Sequence, residues 1–173
     1  MKAPGTKKEI KGEKAGNKAE NRQRSRKDKR KDKDNKTRER KKGSYCLVVF
    51  LEKQRRIKIG SLGNILFKRG YYCYAGSAMN NVDKRVKRHM RNSDEKKLHW
   101  HIDYLLKYAK PAYAVKIYSD KKLECRIAEK IRKASEHSIK GFGSTDCKCD
   151  SHLFYFSKRP KISAKELEKE LNL

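Results

Sequence analysis

A chain of 173 residues with 48 lysines and arginines against 21 acids, a formal charge of +27, suits one domain plus an appendage. A surface this cationic draws polyanions, and because neutralised phosphates release counterions the expected partner is nucleic acid, DNA first and RNA second. No apolar stretch is long enough to span a bilayer, no lipidation signal is visible, Met1-Lys2-Ala3-Pro4 lacks a secretory apolar core, and five scattered cysteines form no even disulfide set, so no membrane partner and no disulfide framework are expected, and the expectation is a soluble, cytoplasmic, reduced protein.

Residues 1–42 hold 19 lysines and arginines, 7 acids and no aromatic residue, with Met1 and Ile10 as the only large aliphatics. Such a segment cannot bury enough apolar surface to offset the entropy of ordering, so a disordered basic tail is expected. It reads as a nucleic-acid tether, a localisation tail or a solubilising extension. The composition changes at Gly43. Tyr45 to Leu51 reads as a buried strand, Arg56 to Ile59 as a half-exposed one, and the turn at residues 60–64 leads into Ile65-Leu66-Phe67. Tyr71 to Ala75 is another strand. A helix capped by Asn80 or Asn81 runs to about Arg91, and a second spans His99 to Tyr108 and ends at Pro111. Tyr113 to Tyr118 is a strand with Tyr113, Val115 and Ile117 on one face. Lys122 to Ser135 forms a third helix, a Gly141-Phe142-Gly143-Ser144 turn follows, and His152 to Phe156 is the last strand. The sum is an α+β domain over 43–157, a small, mostly antiparallel sheet flanked by helices. Residues 158–173 form a C-terminal extension with a short, weakly amphipathic helix.

Spacing sorts the polar residues on two helices. Val82, Val86 and Met90 make the apolar stripe of the first, and at ~100° per residue Arg85 and His89 lie roughly 20–60° from its edge. Lys84, Lys87, Arg88 and Arg91 point to solvent. On the third helix Leu123, Ile127, Ile131 and Ala134 form the buried face. Glu124 lies roughly 50° from its centre, where core meets cleft, whereas Glu129 is at about 170° and pairs with lysines in water.

Two short motifs, Gly43-Ser44-Tyr45 and Tyr74-Ala75-Gly76-Ser77, precede these helices in the order found in GIY-YIG nucleases. Residues 43–156 resemble the Uri-type endonuclease branch of that superfamily. The likeness rests on four blocks in order: residues 71–78, residues 98–106, the Gly141-to-Cys147 turn and Leu153-Phe154-Tyr155-Phe156. Ser44 and Ala75 stand where the name-giving isoleucines would, both packing positions, and 29 residues separate Tyr45 from Tyr74.

This resemblance implies hydrolysis with a single divalent metal. Glu124 would hold Mg²⁺ or Mn²⁺, and Arg85 would stabilise charge on the scissile phosphate. Tyr45 and Tyr74 would position or deprotonate water, and His89 is an alternative proton acceptor. Gly76 and Ser77 of the second motif, Lys84 and Arg88 on the helix, and Trp100, able to stack on a base, are the expected nucleic-acid contacts. Zinc is not expected. It takes four ligands, and Cys147, Cys149 and His152 supply three. A fourth would be Cys46, Cys73, Cys125 or His101, and nothing in the sequence selects one. The bland reading is a buried turn with Asp146 and His152 hydrogen-bonded to backbone. The preferred function is a structure-selective or low-specificity endonuclease. A non-catalytic nucleic-acid-binding module and a ribosome-associated RNA-binding protein are the rivals.

Overall fold

Strand β1 (Gly43–Leu51) carries an unbroken apolar run because both of its faces are covered. Tyr45, Leu47, Val49 and Leu51 feed one core, while Cys46 and Val48 feed another. The computed structural model describes Met1 and residues 41–91 and 97–173, so the basic tail expected over 1–42 lies, but for Met1, Lys41 and Lys42, outside the described residues.

Strand β4 (Gly70–Ala78) pairs antiparallel with β1, setting Gly76 opposite Tyr45 and Tyr74 opposite Leu47. The separation between the two motifs is filled by a hairpin, β2 (Arg55–Lys58) and β3 (Asn64–Phe67), joined through a 3₁₀ turn. Its Ile57, Ile59 and Phe67 drop into the first core. Strand β5 (Lys110–Tyr118) lies on the other side of β1. Pro111 does not end a helix, as the sequence suggested. It sits inside β5 beside a register shift, on an outermost strand where a missing N–H costs the sheet little. With β6 (His137–Ser138) and β7 (Leu153–Phe156) the main sheet has the order β5-β1-β4-β7-β6, each neighbouring pair antiparallel.

Helices cover both faces. On the first core lie α1 (Val82–Met90), capped by the Asn81 side chain, and α2 (His101–Leu105), shorter than expected. On the second core lie α3 (Glu124–Ala134) and α4 (Ala164–Leu171), whose Ser163 and Glu166 form a reciprocal cap. Leu167 and Leu171 are buried there, so the C-terminal helix packs with the domain rather than trailing from it. Two helix faces differ from the sequence pattern. His89, not Met90, completes the buried stripe of α1, and Ala128 rather than the exposed Ala134 is buried on α3. Among the described residues no helix is long and apolar enough to cross a membrane.

Candidate active-site cleft

Where β1 begins and β4 ends, a cleft of about 350 Å³ opens, lined by Tyr45, Tyr74, Gly76, Ser77, Arg85, Trp100 and Glu124. The two tyrosines are diagonal neighbours on paired strands, with ring centroids 6.3 Å apart. Glycines make room for them. A Cβ on Gly76 would stand 2.6 Å from Cζ and Oη of Tyr45, so any side chain there would displace the ring. Gly143, at φ +71°, lies equally tight against Tyr74, where a Cβ would be 2.7 Å from Cε2. Burial pushes both phenol pKa values well above their ordinary range, only partly opposed by the Arg85 charge. Both hydroxyls therefore keep their protons at neutral pH.

Helix α1 contributes three basic residues in three different settings. Arg85 reaches the cleft and stacks its guanidinium 3.8 Å from the centroid of Trp100. His89 is buried behind the cleft, its Nε2 2.9 Å from Tyr45 Oη and its Nδ1 3.7 Å from Asp103 Oδ1. It borders the cleft through two lining residues, Tyr45 by this hydrogen bond and Trp100 by an edge-on ring contact at 5.9 Å. Arg88 does not point to solvent as its helical position suggested. Its two guanidinium nitrogens donate to the two oxygens of buried Asp103 at 2.8 and 3.1 Å, and Nη2 also donates to the Lys97 carbonyl. Asp103 further accepts from the backbone N–H groups of His99 and Trp100. Burial would raise the Asp103 pKa, but Arg88 and these N–H donors outweigh it and hold the carboxyl below its ordinary value. Arg88 and Asp103 thus fix Trp100 against α1. Lys84 is exposed and outside the cleft, with its N–H bound to the Asn81 cap.

Ser44 explains how Glu124 is aimed. Its buried hydroxyl accepts the Leu123 N–H at 2.9 Å, tying the start of α3 to the residue beside Tyr45. An isoleucine there could not make this bond. Glu124 then enters the cleft with Oε2 buried and without a hydrogen-bond partner among the described residues. A buried unpaired carboxylate oxygen is costly unless something positive meets it, and a hard divalent cation is the partner this donor fits. Glu129 is exposed and pairs loosely with Lys133 at 3.8 Å.

Several lining residues were not selected from sequence. Asp146 and Thr145 come from the glycine-rich turn, and Asp146 lines the same cleft as a second carboxylate. His99, His101 and His152 line it as well. His101 Nδ1 accepts the Gly143 N–H at 3.1 Å, which places the ring proton on Nε2, and burial lowers its pKa toward the neutral form. The His152 ring does not bind backbone as expected. Its Nε2 meets the sulfurs of Cys147 at 3.4 Å and Cys125 at 3.8 Å. The block around Gly141 was the signal for Asp146, but a loop carboxylate has no helical period to reveal which way it faces.

Residues 44–172 match the family model described as Domain of unknown function DUF123. No curated protein and no solved structure matches the chain.

Proposed function

The chain belongs to the DUF123 family, and for this member we propose the hydrolysis of phosphodiester bonds in nucleic acid, DNA before RNA, as a GIY-YIG-type endonuclease of the Uri branch. The observation that carries the reading is the convergence on one cleft of Arg85, Tyr45, Tyr74 and Glu124, whose buried oxygen has no hydrogen-bond partner among the described residues. A chain with a formal charge of +27 supplies the field that gathers a polyanionic substrate.

Glu124 would hold Mg²⁺ or Mn²⁺, which would supply positive charge to a phosphate under attack. In the reaction a water oxygen bonds to phosphorus, one bridging P–O bond breaks, and the departing oxygen takes up a proton from solvent, which in turn takes the proton that the attacking water gives up. Arg85 donates to the non-bridging oxygens as their charge grows, its guanidinium plane held by Trp100. Tyr45 orients the water. With His89 Nδ1 toward Asp103, Nε2 accepts the Tyr45 proton, leaving a phenol lone pair for the water beside the one that faces Arg85. As Tyr45 takes a proton from water it passes its own to His89, and the imidazolium so formed faces the ionised Asp103. A raised phenol pKa makes Tyr45 a poor base alone, and this relay answers that difficulty. Tyr74, also protonated, donates to a phosphate oxygen, and His101 Nε2–H is a second donor.

The test is incubation of the full chain with flap, loop and duplex DNA and with matched RNA, in Mg²⁺, Mn²⁺ or EDTA. Metal-dependent products that disappear in Glu124→Gln support the reading. Binding without cleavage of any substrate overturns it in favour of a non-catalytic nucleic-acid module.

A further inference from the structure

At the wall of the cleft that His152 lines, the thiols of Cys125, Cys147 and Cys149 and the His152 imidazole converge, with their ligand atoms all within 4.8 Å of one another. We propose that these four residues hold a structural Zn²⁺ ion. Zinc at about 2.3 Å from sulfur and about 2.0–2.1 Å from nitrogen sets tetrahedral edges of about 3.8 Å between sulfurs and about 3.5 Å from sulfur to nitrogen. Two of the three sulfur–nitrogen edges to His152 Nε2, 3.4 Å from Cys147 and 3.8 Å from Cys125, already bracket that value. Small side-chain rotations close the rest.

The fold selects the fourth ligand. Cys46 and Cys73 sit in the second core on β1 and β4, away from the group, and His101 commits Nδ1 to the Gly143 N–H. Cys125 instead lies on the first turn of α3, turned toward the loop that brings Cys147 and Cys149. Four protein ligands complete a tetrahedron and leave no open position, which makes the ion structural rather than catalytic. The three thiols are partly exposed, so the ion has a path in. Soft thiolates favour zinc over Mg²⁺, while the carboxylate of Glu124 favours the hard ion, so adjacent residues of one helix would sort two metals by chemistry.

The ion would cross-link three segments that frame the cleft. Cys125 follows Glu124 directly. His152 is tied to β4 through its carbonyl, which accepts the Ala75 N–H at 2.9 Å, and to the glycine turn through its N–H on the Phe142 carbonyl at 2.8 Å. A loop of residues 144–152 with almost no regular structure thereby gains a fixed position, with Asp146 on it.

The full chain, purified under reducing conditions and dialysed against metal-free buffer, is assayed for metal content by plasma mass spectrometry. About one zinc per chain is expected. Cys149→Ser should lose it, and Cys46→Ser, a thiol outside the group, should keep it. Because Cys149→Ser could also unfold, the wild-type chain stripped of metal and titrated with Co²⁺ provides an independent readout. Sulfur-to-cobalt charge-transfer absorption and intense tetrahedral d–d bands, saturating at one equivalent and displaced by Zn²⁺, are expected. A folded, fully reduced protein with no zinc and no such absorption overturns the proposal, as does Cys46→Ser losing the metal as completely as Cys149→Ser. None of these readouts depends on nucleic-acid cleavage, so loss of the nuclease reading would leave them unchanged.

Discussion

Tyr45 and His89 meet inside the first core, hydroxyl to imidazole at 2.9 Å, although 44 residues separate them in the chain. His89 does not itself line the cleft, and its hydrogen bond to Tyr45 is the route by which it would act on a proton there. Tyr45→Phe and His89→Gln should each slow single-turnover cleavage by ~10²-fold, the usual scale of a lost proton-transfer partner. The double variant should be little worse than Tyr45→Phe alone, since both remove one unit. Multiplying effects would make His89 an independent participant.

Glu124→Gln replaces a half-buried carboxylate, one oxygen of which is buried, by an amide of the same shape. Cleavage should fall by about 10²–10³-fold, with no rescue across a Mg²⁺ titration. Thermal stability should hold or rise, because a carboxylate with an unpartnered buried oxygen is removed. Glu129→Gln, on the exposed side, should change stability by less than about 0.5 kcal/mol and leave the rate alone. Equal rate losses in the two would assign the metal elsewhere.

Arg85→Ala and Arg88→Ala should separate cleanly, although the residues are neighbours on α1. Losing Arg85 should cost ~10² in rate with an almost unchanged unfolding midpoint. Losing Arg88 leaves Asp103 buried without its ion partner and should destabilise by about 3 kcal/mol. At temperatures where the variant is fully folded its rate effect should be smaller than that of Arg85→Ala, because it reaches the phosphate only by loosening Trp100. Denaturant melts and single-turnover rates on the same samples check both.

Acid sensitivity should trace to Asp103. Its folded pKa is depressed, so its contribution is complete above the unfolded value near ~3.9 and is lost as pH falls through the lower folded value. The stability gap between wild type and Asp103→Asn should therefore be constant at neutral pH and narrow below about pH 4. A gap unchanged down to pH 2 would mean that Asp103 is not ionised in the folded state.

The basic tail can be removed only up to Arg40, because the carbonyls of Lys41 and Lys42 accept the N–H groups of Val82 and Ser119. A chain lacking residues 1–40 should unfold cooperatively and still cut saturating substrate. Its slope of log affinity against log salt should flatten by about 0.9 for each phosphate the tail would otherwise neutralise. An unchanged slope would take the tail off the polyanion and leave solubility or a protein partner as its role.

Local physics made much of this protein legible from its residues. Apolar runs, the Asn81 cap, the glycine turns and the helical angle of Glu124 depend on neighbours a few positions apart, and all reappear in the fold. The α+β class and the antiparallel sheet followed from the same signals. What needed the tertiary structure was every choice set by a distant partner. Arg88 turns from solvent because Asp103 waits on another helix, and His89 replaces Met90 in the core because Tyr45 offers it a hydrogen bond. Ser44 serves as the anchor of α3, and Cys125, among four candidates, joins the Cys147–His152 loop. Periodicity reports which side of a helix is apolar. It carries no information about which polar group from elsewhere will meet that side, because such a partner is brought there by packing across the sheet.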